Sequence, residues 1–119
     1  MVLDKPSKKT VNILGTRYTI YIAHEKTHEF FKEADGVCDH STKEIYIAIC
    51  DTDPMSIQDI LKYRAKVLRH EIVHAFLYES GLDIETGKYN IGWAINEEMV
   101  DWFAIQFHKI EKVYQELEI

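Results

Sequence analysis

The chain has 119 residues, 46% of them hydrophobic and 29% charged, with a formal net charge of -6. That length suits one domain with a real core and is too short for two, and the composition excludes a disordered chain. The acidic balance argues against nucleic acid as a partner, and no apolar run reaches the length of a membrane span.

Residues 1–10 are polar and expected to be loose. Val11–Leu14 and Arg17–Ala23 are β-rich runs on either side of Gly15-Thr16, a hairpin signal. Residues 24–35 read as a polar connector with room for a short helix, ending at Gly36. Val37–His40 and Glu44–Cys50 form a second hairpin about Ser41-Thr42-Lys43, and the run EIYIAIC is apolar on both faces, as in a strand covered on both sides. Asp51-Thr52-Asp53-Pro54 is a helix-start signal, a capping oxygen followed by proline in the first turn. Ile57, Leu61, Leu68, Ile72, Ala75 and Phe76 then recur at spacings of three and four, predicting an amphipathic helix that stops at Gly81. Gly87 and Gly92 bracket a short loop. From Trp93 a second helix runs nearly to the end, with Val100, Phe103, Phe107, Ile110, Tyr114 and Leu117 on one stripe. The order predicts an α+β domain over residues 1–119: a small, mostly antiparallel sheet of three to four strands followed by two long helices.

H-E-x-x-H, the zinc-binding signature of metallopeptidases, occurs twice: His24-Glu25-Lys26-Thr27-His28 and His70-Glu71-Ile72-Val73-His74. The chemistry needs a helix, because histidines four apart then lie about 40° apart on one face and both imidazoles reach one ion. The first copy follows a strand directly and carries a lysine between its histidines, a cation beside a would-be dication. It reads as a solvated connector that spells the motif by chance. The second copy lies in mid-helix, its middle residues Ile72 and Val73 are uncharged, and only Arg69 points a charge outward, so His70 and His74 are the candidate ligands, with Glu71 placed to handle a water.

A catalytic zinc takes three protein ligands and keeps one position open. The third could be another His, an acid or a Cys. Glu97 lies on the following helix about 60° from Val100, at the edge of the apolar stripe, whereas Glu98 lies about 160° away and faces solvent. HExxH followed by Asn96-Glu97-x-x-x-Asp101 resembles the gluzincin metallopeptidases. The string Glu97-x-x-Val100-Asp101-x-Phe103-Ala104 is also similar to the ImmA/IrrE-type metallopeptidases, with Val100 where that pattern has alanine. Small single-domain relatives, the minigluzincins, have about this length and this order of elements. The resemblance covers roughly residues 36–105. It implies a zincin-like fold holding one zinc per chain on His70, His74 and Glu97, with Glu71 as general base. Asp101 would orient His70, and Asn96 would brace the turn beside the second histidine.

The expected function is therefore a zinc metallopeptidase acting on a peptide or protein. The resemblance to ImmA/IrrE-type enzymes adds a regulatory endopeptidase as the guess. Lack of a signal-peptide hydrophobic region makes the cytoplasm the expected compartment, with Cys38 and Cys50 reduced. Zincins commonly hold substrate as an added strand on a sheet edge, and Glu44–Cys50 is the candidate edge, although its two apolar faces fit a covered strand as well. A second oxyanion stabiliser is not evident: His108 lies about 16 Å along the helix from Glu97, and Tyr78 and Tyr89 are weak candidates. Two rivals remain. One is another zinc hydrolase with Cys38 or Cys50 as third ligand; the other is a metallopeptidase-like module that acts by binding protein.

Overall fold

The computed structural model describes residues 1–51, 58–83 and 92–119. Strands β1 (Ser7–Ile13), β2 (Thr16–His24), β3 (Gly36–Asp39) and β4 (Glu44–Ile49) precede helices α1 (Ile60–Glu79) and α2 (Glu97–Glu116), with 3₁₀ turns at Glu29–Lys32 and Trp93–Ile95. The architecture is α+β. None of the described helices is long and apolar enough to cross a membrane.

The four strands form one sheet in the order β1-β2-β4-β3. β1 pairs with β2, and β3 with β4, antiparallel, but β2 and β4 run parallel. The sheet is thus mixed, because the connector after β2 carries the chain past the β4 position and β4 returns between β2 and β3. This corrects one expectation: Glu44–Cys50 is not the edge. β4 is interior, as its two apolar faces require, and β3 is the edge on that side.

β1 starts at Ser7, ahead of the Val11 expected from sequence. Lys8, Thr10 and Asn12 pair with Tyr21, Thr19 and Arg17 on the outer face, so alternation with polar residues hides the strand. The N-terminal segment is tied down further by the buried Arg64, whose guanidinium donates to the Leu3 carbonyl.

Ile13, Tyr18, Ile20, Ile22, Ile45 and Ile47 project from the inner face and meet Val67 and Ala75 of α1 to make the core. On the outer face the Tyr21 and Tyr46 rings stack at 4.9 Å, and His28 and Phe30 pack against Tyr46. Asp59 caps α1 by accepting from the Lys62 N–H at 3.2 Å, and the helix closes with Leu82 N–H to the Leu77 carbonyl and Gly81 N–H to Tyr78. The helix-start signal at Asp51–Pro54 lies, from Thr52 on, outside the described residues, and the observed α1 begins at Ile60.

The buried face of α1 consists of Arg64, Val67, Glu71, His74 and Ala75. Leu61 and Phe76, expected on the apolar stripe, are exposed. α2 packs against α1 and buries Val100 and Ala104, and Arg69 Nε donates to the Ala104 carbonyl at 2.8 Å. Phe107, Tyr114 and Leu117 of the expected stripe are also exposed, so only the first half of α2 contributes to the interior.

Candidate metal centre

His70 and His74 lie one turn apart on α1, and Glu97 is the first residue of α2. Their ligand atoms converge. His70 Nε2 and His74 Nε2 are 3.1 Å apart, His70 Nε2 is 3.0 Å from Glu97 Oε2, and His74 Nε2 is 3.0 Å from Glu97 Oε1. Among the described residues no other set of three His, Cys, Asp and Glu side chains comes together in this way.

The opposite ring nitrogens explain why these two point inward. His70 Nδ1 lies 2.9 Å from Asp101 Oδ1, and His74 Nδ1 lies 2.6 Å from the Ala94 carbonyl. Carboxylate and carbonyl oxygens only accept, so each Nδ1 carries the hydrogen, and in the neutral ring that a metal ligand must be, each Nε2 presents a lone pair. Two lone pairs and a carboxylate aimed at one point repel one another unless a cation sits between them. Tetrahedral ligands at zinc distances of about 2.0–2.1 Å lie about 3.3–3.4 Å apart, close to the separations found. The donor set and its spacing fit zinc.

The supports come from three places. Asp101 is one turn after Glu97 on α2, and its Oδ1 also receives Lys66 Nζ at 2.6 Å. The Lys66 bond, then that of His70, hold the Asp101 carboxyl below its ordinary value. The Ala94 carbonyl is set by the tie of the second 3₁₀ turn to the end of α1, where Ala94 N–H donates to the Leu82 carbonyl at 2.9 Å. Gly92 allows that approach: a Cβ there would sit 2.8 Å from the Leu82 oxygen. Asn96 has a different job from the one expected. Its side chain caps α2, accepting from the Met99 N–H at 3.0 Å, and the group bracing His74 is the Ala94 carbonyl.

Glu71 is 7% exposed and faces the cleft, whose lining also includes Gly36, Val37, Cys38, His74, Tyr78 and Glu97. Burial pushes its carboxyl up from 4.5 to about 7; His70 and the Cys38 N–H pull it down and Glu97 adds to the rise. A carboxyl poised there can take and return a proton near neutral pH.

Other sequence candidates separate cleanly. His24 ends β2 and His28 precedes the first 3₁₀ turn, so HEKTH is not helical. The His28 ring packs among Phe30, Phe31 and Tyr46. Cys38 lines the cleft, but it is not one of the converging ligands, and burial first, then Glu71, pushes its thiol to about 12. Cys50 lies elsewhere, with Sγ 3.6 Å from Asp35. His108 lines a groove between α1 and α2 with Phe76 and Phe107 and is not in the cleft. Tyr78 does line the cleft, its ring stacked on His40 at 4.0 Å. Tyr89 lies outside the described residues. Lys66, Ala94, Gly36 and His40 also lie at or beside the site without being expected there from the sequence; only Lys66, one turn before His70, carries a readable signal.

No family model, curated protein or solved structure matches the chain.

Proposed function

We propose that the chain is a zinc-dependent peptidase of zincin-like fold, hydrolysing peptide bonds with Glu71 as general base. The observation that carries this reading is the convergence of two Nε2 atoms and the Glu97 carboxylate, each imidazole fixed from behind by an acceptor at Nδ1. The resemblance of HExxH and N-E-x-x-x-D to gluzincins supports it. Zinc, when bound, lowers the pKa of a water to about 7 and polarises a carbonyl oxygen.

Glu71 takes a proton from the attacking water as its oxygen bonds to the peptide carbonyl carbon. It then gives that proton to the amine nitrogen as the C–N bond breaks. His70, His74 and Glu97 would hold the ion, and Asp101 and Ala94 keep the imidazoles oriented. The β3 edge supports a peptide substrate. Asp35 accepts from the Ala48 N–H, which puts the hydrogen-bonding groups of residues 35, 37 and 39 toward β4. The Gly36 N–H and carbonyl and the Cys38 carbonyl are left on the open edge beside Glu71, which accepts from the Cys38 N–H, and an extended peptide could pair with them.

The test is zinc stoichiometry and cleavage of a broad peptide library, measured on the same Glu71→Gln preparation and on the unmodified chain. Expected is one zinc in both, with cleavage about 10²–10⁴-fold slower in the variant. Full zinc with undiminished cleavage would contradict the mechanism. Full zinc with no cleavage by either protein would instead favour a metal-stabilised binding module.

A further inference from the structure

The edge strand does more than offer an open side. Gly36 pairs with Ile47, an inward residue, so its own missing side chain would have pointed at α1. A Cβ on Gly36 would meet Val67 Cγ1 at 2.6 Å, Glu71 Cγ at 3.0 Å and Glu71 Oε1 at 3.1 Å. Val67 and Glu71 are one helical turn apart, so α1 lays both side chains against the same bare stretch of backbone. The next inward residue, Cys38, carries the backbone N–H that acts on the Glu71 carboxylate.

We propose that Gly36 is a positioning residue for the general base, its absent side chain being the space in which the Glu71 carboxylate is held. The proposal rests on the peptidase reading for its catalytic meaning, but not for its geometry. Glu71 is confined on one side by the β3 backbone and on the other by its own helix. A methyl group on Gly36 must push the carboxylate away from the strand, or push the strand away from the helix. Either movement separates the base from the site of attack while leaving His70, His74 and Glu97 untouched.

The two obstructed neighbours can be tested apart. Val67→Ala removes the closest clash, so Gly36→Ala is examined in that background, with and without Glu71→Ala. In thermal unfolding of the zinc-free proteins, Gly36→Ala should lower Tm by about 4 °C or more when Glu71 is present, and by much less when it is Ala. In activity, Gly36→Ala/Val67→Ala should keep full zinc and show kcat severalfold to about 10-fold below Val67→Ala, with KM changed far less. Equal Tm losses with and without Glu71 would overturn the contact, as would failure of the triple variant to fold, since the three nearest obstructing atoms are then gone. Recovery of kcat to the Val67→Ala level would overturn the positioning role. An unmodified chain that holds zinc and cleaves nothing would overturn the peptidase reading, and the catalytic role with it. The Tm comparison still decides whether Glu71 occupies the space above Gly36.

Discussion

Replacing Glu71 by Gln should stabilise the zinc-free chain at pH 8. In the folded protein burial raises this carboxyl from 4.5 to about 7. The folded state therefore holds a proton that the unfolded state releases between those two values, and the stability of the unmodified chain falls as pH rises through that window. At about 1.36 kcal/mol per pKa unit the full penalty above pH 7 is about 3 kcal/mol. Gln has nearly the same shape, carries no charge, and keeps an acceptor for the Cys38 N–H. The stability gap between variant and unmodified chain should thus be near zero below pH 4.5 and about 3 kcal/mol at pH 8. For a domain of this size that corresponds to a Tm higher by roughly 10 °C. The assay is thermal or urea unfolding of both chelator-treated proteins from pH 4 to pH 8. Adding zinc should shrink the gap, because a nearby dication favours the carboxylate. A gap that does not change with pH, or a variant less stable at pH 8, would refute the reasoning. A destabilising buried acid that the fold nevertheless retains is the pattern of a functional group.

Three further outcomes are expected. Glu97→Gln should strongly weaken zinc binding measured by competition with a chelating dye, while Glu98→Gln, on the solvent side, should stay within about 0.5 kcal/mol of the unmodified chain in stability. Asp101→Ala should lower zinc affinity about 10–100-fold in the same assay by freeing the His70 ring. Replacing His24 and His28 together with Ala should leave zinc content at one per chain by elemental analysis. It should cost about 0.5–1.5 kcal/mol for each lost ring pair around His28.

The local elements were legible where period and punctuation agree. The turn about Gly15, the β3–β4 hairpin and the stop of α1 at Gly81 can be read directly from the residues. The same is true of the helical context that separates HEIVH from HEKTH. Strand order was not legible: β2 and β4 have similar apolar patterns, and nothing local says that they pair parallel. The first half of β1 carries no strand signature because its outer residues are polar. The apolar stripe of α1 misled in a useful way, since the face it buries carries Arg64, Glu71 and His74 and so reads as less hydrophobic than the exposed face with Phe76. The helical projection from Val100 places Glu97 on the side of α2 that meets the histidines, but a projection of side chains carries no sign that the carbonyl behind His74 belongs to Ala94. Backbone groups and empty spaces, such as the one at Gly36, leave no side-chain signature.

The central claim is that HEIVH and Glu97 hold one metal ion. Crystals grown with zinc and measured on both sides of the zinc absorption edge test it most directly. The account predicts one anomalous peak per chain, about 2.0–2.2 Å from His70 Nε2, His74 Nε2 and a Glu97 oxygen. A peak at His24 and His28, or one coordinated by Cys38 in place of Glu97, would contradict it.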